Sequence, residues 1–265
     1  MKHRETRHPL KTCYEMLACY EDEEMTKQLT KLPSEIRAVL DGNSEGCIVC
    51  ADCLDILPLM PDGCVDLCLT DPPYNVGIDY GDGVDDKKTD FVAWVTSWFT
   101  ECRRISKTVL ITGQGRLPDY AKIEPWKWLL AWYKPAAMGR SPVGFNAWEP
   151  IALWGKGSNS GLPDVFQVCI VPQTDTGCHP CPKPLRWATE QVRRFPKAEI
   201  ILDPFGGSGT TCVAAKQLGR RYIGIEISPD YRQIAKDRLT ALDTGVPVKE
   251  ARAGQISLFP VEDQP

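Results

Sequence analysis

Along the chain, short apolar runs rich in valine and isoleucine alternate with segments whose apolar positions recur every three or four residues. The runs at 47–53, 65–70, 108–112, 128–133, 151–154, 199–202 and 222–227 predict strands. Their alternation with helical spacing predicts βα units around a largely parallel, buried sheet. Asp90 is placed to cap a helix that carries Phe91, Val95, Trp98, Cys102 and Ile105 on one stripe. Leu185, Ala188, Val192 and Phe195 mark a second helix, with Arg186, Arg193 and Arg194 on its other faces. Ser228 and Pro229 supply an N-cap and a first-turn proline for a helix continued by Tyr231, Ile234, Ala235, Leu239 and Leu242. Gly219 is expected to end the helix that begins near Thr210.

Composition narrows the class without changing this picture. The 265 residues are 43% hydrophobic and 25% charged, which excludes disorder, collagen-like sequence and coiled coil as the dominant state. No apolar run approaches the roughly 18 residues of a membrane span. The charged start Met1-Lys2-His3-Arg4 is followed by no apolar leader, so the chain is expected in the cytoplasm. Twelve cysteines at this length read as free thiols. Three histidines, two of them His3 and His8, leave little for a Ser-His-Asp relay or a His-rich metal site. The net charge of −4 is unevenly spread: residues 50–90 hold ten Asp against two Lys, and residues 134–197 hold eight basic against four acidic side chains. A basic face beside an acidic pocket fits a polyanion partner.

Two segments carry the chemistry. In Ile200-Ile201-Leu202-Asp203-Pro204-Phe205-Gly206-Gly207-Ser208-Gly209-Thr210-Thr211 an apolar strand enters a glycine-rich turn that opens a helix. The backbone can approach a ligand closely there, and helix-start amides can face negative charge. No lysine follows the glycines, which excludes a Walker loop, and Cys212 stands where a dinucleotide fingerprint needs its third Gly or Ala. Glu226 ends the next strand, 23 residues after Asp203, suitably placed for ribose hydroxyls. In the second segment a strand ends in Asp71-Pro72-Pro73-Tyr74. Two prolines fix φ and remove backbone donors, so a carboxylate, carbonyls and an aromatic ring share one edge, suited to a planar ligand bearing an NH2 group.

Together these segments resemble the amino-methylating DNA methyltransferases that use S-adenosyl-L-methionine, with the catalytic motif ahead of the cofactor loop as in the permuted β group. Ala51-Asp52 is similar to the family's Gly-Asp segment near the cofactor adenine, with alanine in place of glycine. His179-Pro180-Cys181-Pro182-Lys183-Pro184 resembles the His-Pro-x-x-Lys-Pro element that closes over the methionine moiety, and Phe145 to Glu149 resembles the wall of the target-base pocket. The four main matches span roughly residues 45–240.

The resemblance implies a circularly permuted α/β, Rossmann-like seven-stranded methyltransferase sheet with a small target-recognition insertion. The expected domain is 33–242, with recognition at about 155–177, an N-terminal extension at 1–32 and a flexible tail at 243–265. Catalytic residues are expected at Asp71, Pro72, Pro73 and Tyr74, the last as a platform for a base flipped from double-stranded DNA. Cofactor residues are expected at Asp52, Asp203, Phe205, Gly207, Ser208, Gly209, Thr210, Glu226, His179 and Lys183, with no metal. Asp rather than Ser at position 71 favours adenine N6 over cytosine N4. A catalytically idle DNA-binding or partner subunit is the rival of another class. The family implies a bacterial or phage-encoded protein at the nucleoid.

Three features invite other readings. Residues 78–88 evoke a calcium loop, but Gly81 stands where the second oxygen ligand belongs, and a lid beside the flipped base is preferred. Cys47, Cys50 and Cys53 would alternate faces of a strand and so cannot converge on one zinc. Near the end, Gln255, Leu258 and Phe259 resemble the short peptides that dock on the replication sliding clamp; a tail folded back on the core weighs equally.

Overall fold

The computed structural model describes residues 29–78, 86–113, 115–135, 139–170, 183–246 and 248. Helix α1 (Ser34–Leu40) leads to β1 (Gly46–Cys50), the short helix α2 (Cys53–Ile56), a 3₁₀ turn at Leu57–Leu59 and β2 (Val65–Thr70). Helix α3 (Phe91–Ile105) runs directly into β3 (Ser106–Thr112), followed by α4 (Leu117–Ala121) and β4 (Trp128–Tyr133). A ribbon of β5 (Arg140–Ser141) and β6 (Gly144–Phe145) precedes β7 (Trp148–Gly155) and β8 (Val165–Gln167). The last third contributes α5 (Leu185–Arg193), β9 (Ile200–Asp203), α6 (Thr210–Gln217), β10 (Arg221–Glu226) and α7 (Pro229–Thr244).

The main sheet has the order β1-β10-β9-β2-β3-β7-β4-β8. Its first five strands are parallel, β7 runs antiparallel to both β3 and β4, and β8 runs parallel to β4. Consecutive residues of β2 feed opposite cores: Cys68 packs with α1–α4 on one face, while Leu67 and Leu69 pack with α5–α7 on the other. Burial on both faces is why these strands read as continuous apolar runs. The stripe Phe91, Val95, Trp98, Cys102 and Ile105 of α3 is buried, and Asp90 caps the helix by accepting from the Ala93 amide at 2.9 Å. Ser228 caps α7 as its sequence suggested, and Gly219, at φ +65°, follows the end of α6.

The structure departs from the sequence reading in four places. All seven expected strands are present, and an eighth, β8, extends the sheet from within the expected recognition segment; three residues are too few to announce themselves by pattern. The first strand stops at Cys50, because Asp52 caps α2 through the Leu54 amide at 2.9 Å, which places Cys53 on a helix. Where the sequence predicts a buried sheet, Trp132 and Trp154 are buried but Trp128, Tyr133 and Trp148 are exposed, because β4 and the start of β7 lie near the uncovered end of the sheet. Leu32, expected in the N-terminal extension, is buried in the α1–α4 core. Among the described residues no helix is long and apolar enough to cross a membrane.

Trp98 ties the core to the glycine-rich turn. Its ring centroid lies 4.9 Å from that of Phe205, 5.9 Å from that of Trp94 and 6.0 Å from that of Tyr120. Trp98→Ala should lower unfolding free energy by about 3 to 5 kcal/mol, from lost burial plus the cavity left behind. Urea unfolding measures this, and a change below about 1 kcal/mol would show that the cluster is not a core element.

Candidate active site at the carboxyl edge of the sheet

Parallel strands end at one edge, so β2, β3, β9, β10 and β1 deliver Asp71, Thr112, the glycine-rich turn, Glu226 and Asp52 to the same side of the sheet. Antiparallel β7 begins there with Trp148 and Glu149, and β4 finishes there, just before Lys134. The chain order reverses between β2 and β9, and such a switch point opens a ligand crevice beyond the strand ends.

Asp71 is held from three directions. The hydroxyls of Tyr74 and Thr112 both donate to Oδ1, and the Lys183 ammonium lies 2.8 Å from Oδ2. An ionised carboxylate offers about four lone-pair positions; among the described residues three are taken, which leaves one on Oδ2. Lys183 also lies 3.6 Å from Glu149 Oε1, and Lys134 pairs with Glu149 Oε2 at 3.2 Å. Glu149 is only 2% exposed and accepts from the Tyr74 hydroxyl at 3.3 Å. Tyr74 is buried, and burial, then the Asp71 and Glu149 charges, hold its phenol well above the usual range, so that it serves as a donor. The Arg116 guanidinium donates to the Tyr74 and Asn75 carbonyls at 2.6 and 2.9 Å and stacks 4.7 Å from the Phe91 ring. Asp86 accepts from the amides of Asn75, Val76, Gly77 and Ile78 at 2.8 to 3.1 Å. The segment after the prolines is thus shaped by charge on both sides.

The glycine-rich turn is equally constrained. Gly207 and Gly209 have φ of +49° and +78°, and a β-carbon at Gly209 would stand 2.6 Å from that of Ala235; both reasons exclude a side chain there. Glu226 accepts the Gly207 amide at 2.6 Å and the Ser228 amide at 2.8 Å, one on each oxygen, with the Ile227 amide beside them, and among the described residues keeps about one further lone pair. Burial pushes its carboxyl up, against the pull of those amides. Arg238, buried under the turn, donates to the Ser208 carbonyl at 2.6 Å, the Thr210 hydroxyl at 3.1 Å and the Ser208 hydroxyl at 3.3 Å. A turn with left-handed glycines, opening a helix and carrying an acid with spare acceptor capacity, fits a nucleoside cofactor with a charged amino-acid arm.

The expected site residues therefore separate into groups. Asp71, Tyr74 and Lys183 touch one another. Gly207, Ser208, Gly209, Thr210 and Glu226 form one hydrogen-bonded turn, and Asp52 follows Ala51, which lies just after β1 and whose amide donates to the Glu226 carbonyl at 3.1 Å. Asp203 is buried beneath the turn, where Oδ1 accepts the Thr70 hydroxyl at 2.7 Å and the Phe205 amide at 3.1 Å. Phe205 packs on Trp94 and Trp98. His179, most of residues 78–88 and the tail residues Gln255, Leu258 and Phe259 lie outside the described residues. Sequence reasoning did not single out Thr112, Glu149, Lys134, Arg116, Asp86 or Arg238. Only Glu149 carried a signal, as the last residue of the expected pocket wall.

This layout defines a class, the α/β methyltransferases. The family described as DNA methylase, of the N6/N4 type, matches residues 132–237. YubD of Escherichia coli (strain K12), named as a methylase, is 33% identical over 210 residues, covering 72% of this chain and 88% of its own. Two solved structures share the fold. The PvuII cytosine-N4-specific DNA methyltransferase has a TM-score of 0.62 at 18% identity, covering 79% of this chain and 91% of its own. The M1.HpyAVI–SAM complex has a TM-score of 0.54 at 23% identity, covering 73% and 98%. The chain belongs to the N6/N4 DNA methylase family and is a DNA methyltransferase.

Asp203 generates a pH prediction. Burial raises its carboxyl from 3.8 to about 6, despite the Thr70 and Thr211 hydroxyls and the Phe205 amide. The folded protein then holds the proton more tightly than the unfolded chain. That stabilising contribution is complete below about pH 4 and is lost as pH rises through about 6. Relative to Asp203→Asn, the native protein should lose roughly 3 kcal/mol of stability between pH 4 and pH 7. Urea unfolding of both at several pH values measures this; a pH-independent difference would contradict it.

Proposed function

We propose that the chain methylates the N6 amine of adenine in double-stranded DNA. S-adenosyl-L-methionine supplies the methyl group, as an electrophile on positively charged sulfur. The residues that would hold it are Gly207, Ser208, Gly209 and Thr210 along the turn, Glu226 toward the ribose and Asp52 toward the adenine, with His179 and Lys183 assigned from the family resemblance. Asp203 and Phe205 contribute by shaping the turn from beneath.

The observation that carries this reading is the single acceptor position left on Asp71 among the described residues. An exocyclic amine is a poor nucleophile because its lone pair is delocalised into the ring. Asp71 accepts a hydrogen bond from one amine N–H and the Pro72 carbonyl accepts one from the other, which concentrates the lone pair on nitrogen and aims it. Once the methyl group is transferred, the surplus proton leaves the nitrogen by way of Asp71 or solvent. Catalysis then comes from positioning and electrostatics, with no covalent enzyme intermediate. Tyr74 and Thr112 orient the acid by filling Oδ1. Lys183 lies 5.6 Å from the Tyr74 ring centroid, and a base stacking on Tyr74 pushes it toward Glu149. A carboxylate rather than a serine hydroxyl at position 71 supports adenine.

Nucleoside digestion and mass spectrometry of DNA from a methylation-free host, after incubation with the protein and S-adenosyl-L-methionine, should yield N6-methyladenine. N4-methylcytosine alone would overturn the adenine assignment, and cofactor binding without transfer would make the chain an idle subunit. Asp71→Ala should abolish transfer with cofactor affinity nearly intact by calorimetry; a large affinity loss would remove its assigned role. Glu226→Ala should weaken cofactor binding about tenfold or more, because a charged acceptor is worth on the order of 1.5 to 3 kcal/mol. An unchanged dissociation constant would place the ribose site elsewhere.

A further inference from the structure

The ribbon β5–β6 projects from the edge that holds Asp71. It leaves the sheet after β4 and returns at β7, and the Asn146 amide donates to the Gly139 carbonyl at 2.6 Å at its base. The Lys134 amide donates to the Ala147 carbonyl at 2.7 Å, which roots the ribbon next to the buried Lys134–Glu149 pair. Through Glu149 that root is in contact with Tyr74 and Lys183, two of the three side chains that grip Asp71.

Its tip is apolar and open. Val143 is 97% exposed, Phe145 63%, and Trp148 at the root 53%. The tip is also braced. Pro142 presets φ at the first corner of the turn, Ser141 Oγ accepts the Val143 amide at 3.3 Å, and the same hydroxyl donates to the Gly144 carbonyl at 3.2 Å. From Ala147 to Val143 an extended strand spans about 13 Å, at about 3.3 Å per residue. Exposed valine at the end of an internally hydrogen-bonded turn, beside a site that takes a flipped base, suits insertion into a stack of bases. Apolar side chains act in this way on duplex DNA, occupying a base step and offsetting its unstacking.

We infer that the β5–β6 ribbon is a wedge whose Val143 tip enters the duplex beside the target nucleotide and holds open the gap left by the extruded base. The occupant of this surface is duplex DNA, because the ribbon is continuous with the site proposed to receive the base; the inference rests on that proposed function. A wedge stabilises the extruded state without reading sequence, so it acts on the step after binding.

The test compares the native protein with Val143→Gly and Val143→Leu on genomic DNA from a methylation-free host, with labelled S-adenosyl-L-methionine. Single-turnover transfer at saturating DNA should slow tenfold or more in Val143→Gly and recover to within about threefold of native in Val143→Leu. Duplex affinity and melting temperature should change little, since Val143 is 97% exposed in the free protein. A Val143→Gly rate within twofold of native, or a loss confined to the dissociation constant for DNA, overturns the wedge. Self-association of the native protein abolished by Val143→Gly, with transfer unchanged, would assign the tip to a second copy of this chain. Absence of transfer by the native protein would instead refute the proposed function, and so the two failures are distinguishable.

Discussion

The pairing of β2 with β9 is the constraint on which the site depends. Thr70 and Asp203 lie 133 residues apart in sequence, yet a 2.7 Å hydrogen bond joins them where the two strands end. The same pair of strands is pinned at its other end, where Asp66 accepts the Glu199 and Ile200 amides at 2.8 and 3.0 Å. Between these pins, Leu67 faces Ile201 and Cys68 faces Leu202 in parallel register. One strand leads to the acid and prolines of the catalytic edge, the other to the glycine-rich turn. If the pair slipped by one residue, every side chain on the strand would change face, and the two loops would no longer meet.

Around that junction the site is built from buried and partly buried charge held in balance. Asp71 and Glu149 oppose Lys134 and Lys183, with Tyr74 between the two acids. Glu149 and Lys134 are buried and Asp71 and Lys183 are partly buried; sequestering charge in this way is costly unless each group is paired and hydrogen-bonded, and here each is. Removing one partner leaves another uncompensated, so the network fixes one arrangement of Asp71. Arg238 does the corresponding work under the cofactor turn, where one guanidinium orients Ser208 and Thr210. Preorganised acceptors and donors of this kind suit a reaction that depends on positioning.

The elements were legible in the sequence because both faces of the central strands are covered, which leaves continuous apolar runs separated by helical stripes. The glycine turn and the Asp71-Pro72-Pro73-Tyr74 edge were legible because their chemistry is local in sequence. What was not legible arises from topology. Thr112 reaches Asp71 only through the register that sets Thr70 opposite Ile111. Arg238 shares a helix face with Ala235 and Leu239, and in sequence it is one more surface cation. Lys134 and Glu149 meet because β4 and β7 are antiparallel neighbours. Asp52 looked like the end of a strand because the apolar run does not register the cap that stops it.

The claim that the two halves are locked at this junction is most directly tested by a double-mutant cycle on Thr70→Val and Asp203→Ala, with unfolding free energies read from urea denaturation at pH 7. A hydrogen bond to a buried carboxylate predicts a coupling of about 1 kcal/mol or more between the two sites. Losses that add within about 0.3 kcal/mol would contradict the lock and separate the catalytic edge from the cofactor turn.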